Sequence, residues 1–312
     1  MSDRLFQKYS EILFTGSYTK FSPEKLHQLH KDVGQILPTA QEKLDSAELF
    51  DLYELYFHVS LLTNHDVNAK SMLDRFNDEF SGQRSQKYSI LKSMYYEATG
   101  KDREAVDALG ASTDELRASR RLATFARYKA DGSENVAEYI KSLTFYLNIQ
   151  PSDVTTWAEL AEQYAKIGNY EEATFCIKEV LLLEPLAYNM FYKAGLYQYY
   201  HFLQQDQAKS EKEKDLLALY PILQAARDSF LRAVELSATF TKAWVGIATV
   251  GDSDLINRLE NSKKVSADSK VSAFVKETIQ VRELAKSRVR ELEKLPSDAD
   301  LKKHLIKPEI KA

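Results

Sequence analysis

The sequence predicts an all-α fold: a right-handed superhelix of stacked antiparallel helical hairpins, closed by a C-terminal capping helix. Three observations predict it. Among 312 residues there are only 10 glycines and 7 prolines, well under the roughly 12% of average chains, which argues against a turn-dense β-sandwich or barrel. A pattern of aromatic and small residues recurs along the middle of the chain, and a period of roughly 20 to 50 residues marks a repeat architecture. Outside that pattern, apolar residues fall at i, i+3, i+4 and i+7 spacing, the period of a helix with one buried face.

The clearest repeat spans 154–187. With Val154 as position 1, Trp157 stands at position 4, Leu160 at 7, Ala161 at 8, Tyr164 at 11, Gly168 at 15, Ala173 at 20 and Pro185 at 32. That is the signature of a tetratricopeptide hairpin of about 34 residues. Its logic is steric. Ala161 and Ala173 let the two helices approach closely, Trp157 and Tyr164 fill the groove between hairpins, and Pro185 ends the second helix.

The register continues both ways. Upstream, 120–153 is a weaker repeat with Ala123, Ala126, Leu143 and Pro151 in place and Asp131-Gly132 as its turn. Downstream, 188–240 has Phe191 in place of Trp, then Ala194 and Gly195. Its second-helix signature, Ala226, Phe230 and Ala233, arrives 19 residues late (226 − 207), so an insertion around 203–221 is expected. The insertion contains the charge run Ser210 to Asp215, which reads as a solvated loop or an exposed helix extension. Trp244 then opens the next hairpin, and Ala238 replaces proline at position 32.

Toward the N-terminus, Tyr96, Gly100 and Ala105 keep the spacing of positions 11, 15 and 20, with a short second helix to follow. Leu52, Leu55, Tyr56, Val59 and Leu62 mark another helix. Ser22-Pro23 is an N-cap followed by a first-turn proline. Val271 to Leu295 reads as an amphipathic cap for the last hairpin, with Val271, Phe274, Val275, Leu284 and Leu292 inward. Residues 1–295 are expected to form a single solenoid domain and 296–312 a loose tail.

Composition narrows the function. The formal charge is −4 (42 basic, 46 acidic), without the basic footprint of a general nucleic-acid binder. It is unevenly spread: residues 260–312 hold 13 basic and 9 acidic side chains, net +4, which suits an acidic partner or an anionic surface. The longest stretch free of Asp, Glu, Lys and Arg is Ala194–Gln205, 12 residues, short of the roughly 20 that span a bilayer. The charged start of the chain predicts no signal peptide. A single cysteine and the absence of an Asn-x-Ser/Thr sequon fit the cytosol.

Signals of chemistry are sparse. Phosphate-loop, dinucleotide and zincin motifs are missing, and no cofactor is expected. His27 and His30 share a helix face, but zinc needs three or four ligands. Cys176, between Phe175 and Ile177, reads as a packed second-helix residue rather than a nucleophile.

The candidate partner groove comes from positions 2, 5, 9 and 12 of first helices, which line the concave side of such a superhelix. Here they give Asn189, Tyr192, Leu196 and Tyr199, with Tyr128 and Glu162 from preceding repeats. An aromatic, nearly neutral groove suits an extended or helical peptide of a partner. Clamping a chaperone carboxyl terminus would need Lys and Asn where Ala158 and Glu162 stand, and Glu162 repels a carboxylate.

Two blocks are more specific than a generic repeat. They are Thr15-Gly-Ser-Tyr-Thr-Lys-Phe-Ser-Pro-Glu-Lys-Leu-His-Gln-Leu29, and Trp157 to Tyr164 leading into Tyr170-Glu-Glu-Ala-Thr-Phe-Cys-Ile-Lys-Glu-Val180. With Ala225 to Leu236 and Lys242-Ala-Trp244, they make residues 5–250 resemble the tetratricopeptide subunit, subunit 2, of the endoplasmic reticulum membrane protein complex, in its fungal form. The resemblance implies a non-catalytic scaffold on the cytosolic face of the endoplasmic reticulum. Such a scaffold supports insertion of tail-anchored and multipass segments and is held to the membrane by other subunits, including their cytosolic tails, with no transmembrane segment of its own. The alternative from the residues alone is a soluble peptide-binding adaptor in chaperone delivery or transport.

Overall fold

The computed structural model describes residues 3–80, 85–110, 116–129, 131–208, 216–262, 268–296 and 299–306. The fold is all-α, and the described residues contain no strand, only fifteen α-helices and two short 3-10 turns. Packing divides the chain into two compact units, 1–133 and 134–312. The weak repeat at 120–153 straddles that division, since α7 (Leu116–Phe125) belongs to the first unit and α8 (Val136–Ile149) to the second.

The first unit holds α1 (Asp3–Thr15), α2 (Pro23–Ala40), α3 (Ser46–Leu62), α4 (Asp66–Phe80), α5 (Gln86–Ala98), α6 (Asp102–Asp107) and α7. Ser22 caps α2 by accepting from the Lys25 amide, with Pro23 in the first turn, as the sequence predicts. Asp45 and Glu48 form a reciprocal capping box at the start of α3. Helix α3 is the central element. Tyr53 and Phe57 are buried along with Leu52, Leu55, Tyr56 and Val59, so it is apolar nearly all round, whereas Leu62 at its end is exposed. The short helix expected after Gly100 is α6, six residues long.

In the second unit α9 (Val154–Lys166) and α10 (Tyr170–Leu183) are the 154–187 hairpin. Asp153 and Asn169 cap their amino ends, and Gly168 turns between them at φ 76°, a left-handed conformation open to glycine. Next come α11 (Tyr188–Ala208) and α12 (Leu216–Leu236), each 21 residues, then α13 (Thr241–Gly251), α14 (Asp254–Asn261) and α15 (Ser269–Leu292). The insertion therefore lengthens both helices of the 188–240 hairpin, while the whole charge run, Ser210 to Asp215, lies outside the described residues.

Phe230 is the centre of this packing. A Cβ added at Gly195 on α11 or at Gly246 on α13 would come within 2.7 Å of its ring, so three helices close on one phenyl group because two of them present only hydrogen there.

The C-terminal helix docks as a cap through α12 and α13. Arg227, buried on α12, donates to the Thr278 hydroxyl at 2.9 Å, lies over the Phe274 ring and pairs with Asp228. Two expectations are corrected here. Leu284 is 52% exposed, and Ala285 and Val289 are buried in its stead. At about 100° per residue, Ala285 falls close to the meridian of Val271 and Leu284 on the opposite side. The loose tail is also overturned for residues 299–306. Leu301 is buried, Leu305 and Ile306 pack on the core, and the Ile306 amide donates to the Thr249 hydroxyl at 3.1 Å.

Candidate partner-binding surface

The signature residues of 154–187 build a rigid platform. Leu160, Ala161 and Ala173 are almost fully buried, and Tyr164 is half-buried. Trp157 donates its indole N–H to the Pro151 carbonyl at 2.8 Å and meets Phe175 edge-on. Trp244 repeats the device on the Ala238 carbonyl, also at 2.8 Å.

The lengthened α11 reaches back over this hairpin. Gln204 donates to the Gly168 carbonyl at 2.8 Å, and Tyr197 and Tyr200 pack on Tyr170. Burial therefore pushes the Tyr197 phenol well up, and the Tyr199 phenol up to about 12 with a smaller contribution from Tyr200.

The proposed groove residues fall into different environments. Asn189 is exposed, and Glu162 is exposed but pairs with Lys193 across α9 and α11. Leu196 and Tyr192 are half-buried, the Tyr192 ring lying 5.7 Å from Phe230 and 5.5 Å from Phe240. Tyr199 is 7% exposed and shares a core cluster with Leu219 and Leu223 of α12. It does not line an open groove, because the insertion-lengthened α12 supplies the apolar partners that a standard hairpin lacks at that height. Tyr128, 54% exposed, lies in the first unit, with the Arg127 guanidinium over its ring.

Apolar surface is open elsewhere. Phe145 on α8, Phe175 and Leu182 on α10 and Leu186 after it are 62%, 51%, 75% and 72% exposed. A cleft of about 450 Å³ runs between α10 and α12, with Phe175 and Ile222 as apolar walls and Lys178 and His201 as polar ones. First-helix spacing does not point to this face, because these residues lie on second helices or just after them, off the Ala-Phe-Ala signature.

Burial, then the Glu172 carboxylate, pushes the Cys176 thiol up to about 12, the opposite of an activated nucleophile. Among the described residues no group of three or more His, Cys, Asp or Glu is placed to hold a metal. His27 and His30 instead pack with His65, whose ring stacks on His30 at 4.0 Å and so turns its lone pairs alongside rather than toward a shared centre. No described helix is long and apolar enough to cross a membrane.

No family model matches the chain. Its sequence is 27% identical over 280 residues to ER membrane protein complex subunit 2 of Saccharomyces cerevisiae, covering 86% of this chain and 91% of the relative. The chain is similar to that subunit along most of its length. It is also 27% identical over 244 residues to the TPR repeat protein oca3 of Schizosaccharomyces pombe, covering 76% of this chain and 79% of the relative. ER membrane protein complex subunit 2-B of Xenopus laevis matches at 29% over 163 residues, 52% of this chain and 53% of the relative.

Proposed function

We propose that this chain is a non-catalytic scaffold subunit of an endoplasmic reticulum membrane protein complex. It lies on the cytosolic face and supports insertion of tail-anchored and multipass transmembrane segments. The observation that carries the reading is the near end-to-end similarity to the yeast subunit. The open apolar face of the second unit supports it, since a subunit built into an assembly presents apolar surface that its neighbours cover. On this reading the chain is held at the membrane by other subunits, and a cytosolic tail of one of them lies along Asn189, Tyr192, Leu196 and Glu162.

The test is purification of the tagged chain from membranes solubilised in mild detergent, with mass spectrometry of what co-purifies. Several multispanning endoplasmic reticulum proteins in stoichiometric amounts are expected. Recovery from the soluble fraction alone, with chaperones or with nothing, overturns the scaffold reading in favour of a soluble peptide-binding adaptor.

A further inference from the structure

The carboxy-terminal end of the second unit carries a surface of a different kind. A cleft of about 630 Å³ opens between α15, the α13–α14 turn and residues 299–305, walled by Arg282, Lys286 and Arg290 with Asp252 and Asp300 opposite. A second cleft of about 460 Å³ adjoins it at Arg290 and continues past Lys294.

These cations are unequally compensated. Lys286 pairs with Asp252 at 2.7 Å, and Arg282 with Glu283 at 2.8 Å and Asp252 at 3.7 Å. Glu291 is taken by Arg288 at 2.6 Å. Arg290, half-buried, donates through Nε and Nη2 to the Ala299 carbonyl, at 3.4 Å each. Neither Arg290 nor Lys294 has a carboxylate within ion-pair distance among the described residues. The imbalance matches the sequence, in which residues 260–312 are net +4 (13 − 9) in a chain of net −4.

We propose that this double cleft binds an acidic segment of a partner protein, its carboxylates pairing with Arg290 and Lys294. Arg282, Lys286 and Arg290 stand at i, i+4 and i+8, about 6 Å apart along the helix axis. Alternate side chains of an extended peptide repeat every ~6.6 Å, so a strand with Asp or Glu at every second position meets the row in step. Arginine forms two parallel hydrogen bonds to a carboxylate, and among the described residues no carboxylate takes that place at the Arg290 guanidinium. A recessed row between walls also suits a chain that enters the cleft better than the flat face of an anionic bilayer. The inference stands apart from the scaffold reading, because it rests on charge and shape in residues 252–305.

The experiment is fluorescence anisotropy of labelled octaglutamate titrated with the full chain at low salt. The expected result is binding that is weakened about tenfold by the double reversal Arg290→Glu and Lys294→Glu. Lys294→Glu alone, at an exposed position after the helix end, is expected to cost about threefold and keeps the test valid if an Arg290 variant fails to fold. Lys70→Glu, in the first unit, leaves binding unchanged, and raising the salt weakens the wild type as screening requires. No octaglutamate binding, or equal binding by the wild type and the Lys294→Glu variant, overturns the proposal. So does capture by phosphatidylserine vesicles, sensitive to Lys294→Glu, without octaglutamate binding.

Discussion

The indole N–H of Trp244 donates to the carbonyl of Ala238 at 2.8 Å, six residues back and at the position where Pro151 receives the same bond from Trp157. The bond needs a main-chain carbonyl and is indifferent to the side chain that carries it. Loss of proline at this position therefore does not cost the hairpin its tryptophan latch. Trp244→Phe, which keeps a ring but removes the donor, is expected to destabilise the second unit by about 1 kcal/mol. Trp244→Ala also opens a cavity and is expected to cost about 3–5 kcal/mol. Urea unfolding followed by circular dichroism measures both losses, and a Trp244→Phe variant as stable as the wild type would show that the latch contributes nothing.

The Phe230 ring tests close packing directly. A methyl at Gly195 or Gly246 collides with it at 2.7 Å, and each Gly→Ala variant is expected to lose about 1–3 kcal/mol despite the better helix propensity of alanine. Combining Gly195→Ala with Phe230→Leu relieves the clash, so the double variant is expected to lose less than the sum of the single losses. Strict additivity in that cycle would contradict the packing described.

Arg227 ties the cap to the repeats through Thr278, Phe274 and, at 3.6 Å, Glu277 of α15, while its pair with Asp228 stays within α12. Arg227→Ala removes charge-assisted hydrogen bonds and is expected to cost about 2–3 kcal/mol. Arg227→Lys is expected to recover little, since an ammonium cannot reproduce the planar fork. Limited proteolysis reads the local effect: cleavage within α15 should rise in both variants, with the sites in α9 and α10 unaffected.

His30 gives the first unit an acid limit. Burial, then the neighbouring His65 and His27, lowers its pKa from the ordinary 6.5. The ring is stacked between Tyr56 and His65 and shares the Asn68 amide group, 3.2 Å from its Nε2, with the Tyr56 hydroxyl. The titratable groups facing it are His27 from α2, Tyr56 from α3 and His65 from the α3–α4 turn, with uncharged Asn68 from α4. A group with a lowered folded-state pKa binds its proton more readily when unfolded. Stability is thus fully present above about pH 6.5 and falls as pH drops below it toward the folded value. Thermal melting at pH 7.5 and 5.5 should show a larger loss for the wild type than for His30→Gln, and equal losses would exclude this histidine as the cause.

How far the sequence could be read depended on whether a residue's role was local. Ala161, Gly168 and Ala173 answer to neighbours within one hairpin, and Trp157 to Phe175 and to Pro151 six residues back, so short spacing suffices to mark them. Tyr199 could not be read that way. Its burial depends on α12 starting early, and that follows from the insertion, in which a charge run precedes Leu216, Leu217 and Leu219 and no repeat spacing marks them as helix partners. At Leu284 helical phase overrides side-chain size, and the smaller Ala285 lies on the buried meridian. The packing of Leu301 and Ile306 was hidden by the surrounding lysines, since an isolated apolar residue in a charged run carries no period.

Cys176 is the chain's single cysteine, 1% exposed at the heart of the α9–α10 hairpin, with its thiol held protonated. A thiol in that position reacts with an alkylating reagent only while the hairpin is open. Its labelling rate, divided by that of the same cysteine in a short peptide, therefore gives the fraction of time the hairpin stands open. The residue that carries no chemistry thus serves as a native clock, needing no engineered probe. It would report whether a bound partner holds the repeat shut.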